Sequence, residues 1–187
     1  MKKFELTDEF VTNVFGKKLF RIKALVAFGN VEKGELGGFI EKEDNLSHGG
    51  NAWVFGNAWV FGNALVSGDA RVFDNALVSG DARVFGNAWV FGNARVFGDA
   101  RVFGNALVSG NADYAVVAGF GRYFRTTTFF RCKDKILRIQ CGCFYGDLAQ
   151  FREIVKKTHG DSKYAKEYLA IADLMELHFS DECGGEQ

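Results

Sequence analysis

Residues 50–73 read GNAWVFGNAWVFGNALVSGDARVF, four near-copies of one six-letter phrase. From Gly50 the phrase runs through ten complete hexads to Ser109, and an eleventh decays at Asp113-Tyr114-Ala115. Valine stands at 54, 60, 66, 72, 78, 84, 90, 96, 102 and 108, with an alanine two residues before each. A spacing of two puts Ala and Val on one side of an extended strand and the letters beside them on the other. Each hexad therefore reads as a short strand, Ala-x-Val-Phe or Ala-x-Val-Ser, and a two-residue corner, Gly-Asn or Gly-Asp. Those corner residues accept positive φ at low cost. Asp74 once replaces the corner glycine, so that corner tolerates a side chain.

Corners that recur in the same sense every six residues exclude hairpins between successive strands. They wind the chain into a coil of three hexads per turn, each strand stacked in parallel about 4.8 Å from the next. Val fills the interior and the small Ala fits beside it. Across 50–115 the pattern closely resembles the hexapeptide-repeat proteins, which implies a left-handed parallel β-helix. The expected fold class is mainly β: a left-handed parallel β-helix of roughly five coils, followed by a small α+β C-terminal domain.

Outside the repeat, residues 1–49 read as an N-terminal strand and irregular capping coils, with echoes at Val26, Gly29-Asn30, Gly37-Gly38, Ile40 and Leu46. The β-helix is expected over 50–119 and a β-hairpin plus two-helix domain over 120–187. Lys133-Asp134-Lys135 reads as a hairpin turn, with Cys141 and Cys143 on one side of a strand. Asp147 reads as the cap of a helix with Leu148, Phe151, Ile154 and Val155 on one face. Gly160-Asp161 separates it from a second helix carrying Tyr164, Tyr168, Ile171, Leu174 and Met175. The tail SDECGGEQ reads as frayed. This layout resembles a group of phage and prophage proteins, in which LGGFIEKEDNLS (36–47) leads into GNAWV repeats. In that group a GCF-x-G-x-L-x-x-F segment, here Gly142 to Phe151, opens a two-helix tail. The resemblance implies a virus-encoded protein working in the cytoplasm of a bacterial host.

Composition narrows the function classes. Lys+Arg and Asp+Glu both number 23, so no global field steers the chain to duplex nucleic acid or to an anionic membrane. No apolar run approaches the about 18 residues a membrane span needs. Acidic residues break MKKFELTDEF, so it reads as no signal peptide. Four cysteines without a disulfide-rich spacing fit a reduced, cytoplasmic protein.

The letters that vary write the outer surface. Face one stacks Trp53, Arg71, Trp89 and Leu107 beside Phe55, Phe73, Phe91 and Ser109. Face two stacks Trp59, Leu77 and Arg95 beside Phe61, Ser79 and Phe97, and face three Leu65, Arg83 and Arg101 beside Ser67, Phe85 and Phe103. Trp, Phe and Arg are enriched at interface hot spots. Trp53, Phe55, Arg71, Phe73, Trp89 and Phe91 are the expected contact of a homo-oligomer, a trimer or a dimer. Cover by the C-terminal domain, or a cation–π ladder of Trp53, Arg71 and Trp89, also accounts for them. Arg83, Arg101, Phe85 and Phe103 suit a ligand with a planar base and phosphates, although Asp81 and Asp99 stand two residues before the arginines and neutralise them equally well. Stacked Asp81 and Asp99 suit calcium less well.

Catalysis is the less favoured class. The resemblance to hexapeptide-repeat enzymes implies coenzyme A-dependent acyl transfer with a histidine base, yet the repeat holds no histidine. His48 precedes it, and His159 and His178 follow in the helical tail. Cys132, Cys141 and Cys143 with His159, His178 or Cys183 depart from zinc-site spacing. No metal and no cofactor are expected. The expectation is a non-catalytic, oligomeric, phage-type binding protein that counters host defence by binding a host protein or sequestering a small nucleotide signal. The alternatives are a coenzyme A-dependent acyltransferase and an inert structural or assembly protein.

Overall fold

The computed structural model describes residues 2–180. The tail expected to fray, from Asp181 onward, and Cys183 with it lie outside the described residues. The chain divides into two compact units, Met1–Asn111 and Ala112–Gln187.

The first unit opens with an antiparallel hairpin, β1 (Phe4–Thr12) and β2 (Lys18–Ala24), which continues antiparallel into β3 (Leu36–Ile40). Ten two-residue strands follow, β4 to β13, from Trp53–Val54 to Leu107–Val108. Each pairs in parallel with the strand 18 residues away, as in Val54↔Val72↔Val90↔Val108 and Val66↔Val84↔Val102. The result is a three-faced parallel β-solenoid, four strands deep on its fuller faces. It is shallower than the sequence suggests because the chain before residue 36 leaves the stack as the hairpin. All ten repeat valines are 0% exposed and the repeat alanines at most 1%, so the period-two pattern maps directly onto the interior.

The corners show why glycine recurs. Corner glycines from Gly50 to Gly104 hold φ between +57° and +71°, and Asp74 adopts the same conformation at +59°. A Cβ at Gly80 would stand 2.8 Å from the Gly98 nitrogen, where no side chain fits. Gly56, one turn before Asp74, has open space instead. That room is local, since at Gly92, one turn after Asp74, a Cβ would stand 2.6 Å from Ser109 O.

Stacking in parallel also leaves an open edge at each end of the solenoid. Between turns, Trp53 N–H donates to Ala70 O, Leu65 N–H to Ala82 O and Arg83 N–H to Ala100 O. The parallel register of Trp53↔Arg71 and Val54↔Val72 also sends bonds the other way, so the edge of each turn carries both donors and acceptors. The first turn therefore presents acceptors that must be satisfied. Phe39, Glu41 and Ser47 supply backbone N–H groups to Ala58, Val60 and Val66. At the corners side chains take over. Asn45 Nδ2 donates to Gly62 O at 3.1 Å and Ala64 O at 2.8 Å. Lys3 Nζ donates to Gly50 O at 3.3 Å and Ala52 O at 2.8 Å. At the other end a side chain again satisfies an edge group, as Asn111 Oδ1 receives the Arg95 N–H at 2.9 Å. Burial pushes the Lys3 ammonium down to about 8, against a smaller upward pull from Asp69.

The second unit is an antiparallel meander, β14 (Tyr114–Val117), β15 (Thr127–Arg131), β16 (Leu137–Cys141) and β17 (Phe144–Asp147), then α1 (Leu148–His159) and α2 (Lys163–Phe179). The turn expected at 133–135 joins β15 to β16, with Lys135 N–H on Cys132 O at 2.8 Å. Asp147 caps α1 through a reciprocal box: its carboxylate accepts from Gln150 N–H at 2.9 Å, and Gln150 Oε1 accepts from Asp147 N–H at 3.0 Å. Phe129, Ile139, Phe151, Val155, Tyr168 and Met175 pack in its core. Leu174 is 56% exposed, because α2 buries the stripe through Ala165, Tyr168, Ala172, Met175 and Phe179. Cys141 and Cys143 do not share a strand face: Cys141 ends β16, and Cys143 sits exposed in the turn Gly142-Cys143. Among the described residues no helix is long and apolar enough to cross a membrane.

Candidate functional site

The register sets the outward columns that the repeat specifies. Trp53, Arg71, Trp89 and Leu107 are register neighbours on face one, Trp59, Leu77 and Arg95 on face two, and Leu65, Arg83 and Arg101 on face three. What covers them differs from one end to the other.

Trp53 is 0% exposed. Phe4 and Phe28 meet it edge-on, at centroid distances of 6.2 and 5.4 Å, and Gly37 leaves room for its ring. The protein's own N-terminal segment thus occupies the surface where a subunit contact was expected, and Trp53 is unavailable to a second copy. Its indole N–H is buried without a partner among the described residues. Further along the face, Arg71 lies over the Trp89 ring at 5.6 Å, and Phe73 stacks on Phe91 at 4.9 Å with planes 7° apart. The expected cation–π ladder therefore forms between Arg71 and Trp89 without Trp53. Phe55, Arg71, Phe73, Trp89 and Phe91 remain half-buried.

On face three, Phe85 and Phe103 stack at 4.8 Å with planes 2° apart. Rings stacked face to face along the solenoid turn their edges outward, so the ladder consumes one face of each ring. Phe85 has its other side toward Ser67, where the column narrows from Phe to Ser. Beside this ladder Arg83 and Arg101 are both exposed and stand directly opposite each other on neighbouring strands. Like charges in that position cost about 0.2–1 kcal/mol. Asp81 accepts from Asn63 Nδ2 at 3.1 Å, and Arg83 has no ion-pair partner among the described residues. The structure thus brings Arg83, Arg101, Phe85 and Phe103 together on one surface.

The histidines are placed by packing. His48 stacks on Phe4 at 4.3 Å and accepts the Lys3 N–H on Nδ1 at 3.2 Å, while Nε2 stands 3.6 Å from Glu43 Oε2. An accepting Nδ1 puts the ring proton of the neutral form on Nε2, toward the carboxylate, and leaves no free lone pair for a general base. The Lys2 ammonium, 2.6 Å away, and His48 hold the Glu43 carboxyl below its usual range. His159 stacks on Tyr168 at 5.8 Å, and His178 meets Phe179 edge-on at 4.8 Å. Cys132 is buried, and burial pushes its thiol up to about 11. Among the described residues no three His, Cys, Asp or Glu side chains gather as a metal-ligand group.

Sequence reasoning passed over Arg122, Tyr123 and Arg125. They follow the repeat without periodicity, and only the fold brings them to a cavity beside Phe144 and His159. The one available signal was two arginines flanking an aromatic pair just after Gly119 and Gly121.

The YdcK beta solenoid repeat matches the chain at residues 76–92, the segment containing Leu77, Arg83 and Trp89. No curated protein matches it.

Proposed function

We propose that the protein is a non-catalytic binding protein of phage type, whose solenoid is a rigid scaffold for a phosphate-bearing ligand on face three. One observation carries this reading: Arg83 and Arg101 stand opposite each other in register, a placement that costs stability, beside the parallel Phe85–Phe103 stack. Two guanidinium groups one strand apart match the several oxygens of a phosphate group. The stacked Phe85 and Phe103 rings beside them supply an aromatic surface for a base. A small nucleotide signal of the host is the ligand class this chemistry fits, and sequestering it would counter host defence in the cytoplasm. In this reading the protein works as a homo-oligomer, with Arg71, Phe73, Trp89 and Phe91 in the subunit contact.

A second reading, the surface of a host protein as partner, is favoured by one feature of face two. Phe97 is 59% exposed beside the exposed Arg95, a pair of the kind that anchors protein interfaces.

Equilibrium dialysis against adenosine and guanosine nucleotides, linear and cyclic, tests the first reading. Saturable binding is expected, with at least tenfold loss in the Arg83→Gln/Arg101→Gln double variant. Binding that is unchanged in that variant would overturn the assignment of face three.

A further inference from the structure

The C-terminal unit holds a cavity of about 180 Å3, lined by residues of that unit. Its floor is apolar, made by Phe144, Phe151, Ile154 and Val155. Its rim carries Arg122, Arg125 and His159 with the ring of Tyr123, and the buried Tyr168 completes the lining. The rim is built by contacts that fix the 119–125 loop onto α2. Gly121 adopts φ +72°, its N–H donates to Glu167 Oε2 at 2.9 Å, and the Tyr168 hydroxyl donates to Phe120 O at 3.4 Å. A side chain at 121 would collide with the Tyr168 ring, so only glycine lets the loop settle onto α2. Gly142 plays the matching part across the cavity, because a Cβ there would collide with the Arg125 guanidinium.

That loop gathers positive charge without neutralising it. The guanidinium carbons of Arg122 and Arg125 lie 5.5 and 4.9 Å from the centre of the Tyr123 ring. Neither has a carboxylate within ion-pair distance among the described residues, whereas Arg131, Arg138 and Arg152 in the same unit each have one. Two cations on one ring repel each other. An anion between them removes the repulsion and forms charge-assisted hydrogen bonds with both. Behind that anion the floor offers hydrocarbon. A dry protein cavity of about 150 Å3 admits benzene, so this one has room for one benzene-sized ring.

We propose that this cavity binds a small aromatic anion, with a single ring on Phe144, Phe151 and Val155 and a carboxylate or phosphoryl head between Arg122 and Arg125. The site is separate from face three and stands or falls independently of it. Cys143, exposed in the β16–β17 turn, is among the cavity residues and gives a chemical reporter of occupancy.

The test titrates the full chain with para-fluorobenzoate and para-fluorophenyl phosphate, with para-fluorobenzamide as the neutral comparator, by fluorine NMR. Iodoacetamide labelling of Cys143, read by peptide mass spectrometry, is measured in parallel. At least one of the two anions is expected to bind saturably, at least tenfold tighter than the amide, and to slow Cys143 labelling. The tighter of the two anions identifies the head group. The Arg122→Gln/Arg125→Gln double variant, altered only in an exposed loop, is expected to keep its thermal midpoint and lose at least tenfold in anion affinity. Amide binding equal to that of the anions, no saturable binding, undiminished Cys143 labelling, or full affinity in the double variant would each overturn the proposal.

Discussion

The phrase GNAWVF occurs three times, at 50–55, 56–61 and 86–91, and the first and last copies live differently. Their valines and alanines are equally buried, 0% exposed in both. Their tryptophans are not alike. Trp53 lies sealed under Phe4 and Phe28, whereas Trp89 stays half-buried beneath an arginine and beside a phenylalanine. Identical letters thus fix the same inside and different outsides. The inside depends only on the period of the repeat. The outside depends on which non-repeating residues fold over it, and those lie far away in the chain.

The contrast can be broken first at the two tryptophans. Trp53→Ala empties a sealed site and is expected to cost about 3–5 kcal/mol, while Trp89→Ala costs about 1 kcal/mol. Urea unfolding followed by circular dichroism measures both, and equal losses would refute the difference in cover. The corners come next. Gly80→Ala combines a left-handed φ with a clash against the next corner and is expected to cost about 2–3 kcal/mol. Asp74→Gly relieves the same strain but loses the 3.1 Å bond from Gly92 N–H to the Asp74 carboxylate, so its net effect stays within about 1 kcal/mol.

A further effect tests the Lys3 cap on the first turn. With Lys3 lowered from 10.5 to about 8, the unfolded chain holds a proton over that interval that the folded chain has shed. Stability therefore rises with pH across this window, relative to a Lys3→Met variant. Thermal midpoints of both proteins between pH 7 and pH 10 measure it, and a constant difference would contradict the buried ammonium. Smallest of all, Arg83→Leu removes a like-charge neighbour of Arg101 and should stabilise the solenoid by about 0.2–1 kcal/mol. A loss of stability would mean that the arginine pair serves the fold instead of a ligand.

How far the sequence could be read follows the same division. Strict Ala-x-Val spacing was enough to place every interior residue of the solenoid and every outward column, because a period of two leaves one register. The turn at Lys133–Lys135 and the Asp147 cap were legible for the same reason, being set by a few neighbouring residues. The β1–β2 hairpin, the burial of Trp53 and the shallower stack were not. Each depends on contacts such as Phe4 with Trp53 or Lys3 with Ala52, between residues with no shared pattern. Of the candidate sites, the face-three residues could be grouped from spacing alone. The cavity of the second unit could not, since Arg125 meets Gly142, and Gly121 meets Tyr168, only after folding.

Native mass spectrometry of protein purified gently from cells, followed by denaturation to release whatever is bound, tests the central claim most directly. The account predicts a homo-oligomer carrying a stoichiometric phosphate-containing small molecule that is lost in the Arg83→Gln/Arg101→Gln variant. A bare single chain, with no partner copy and no cargo, would contradict it.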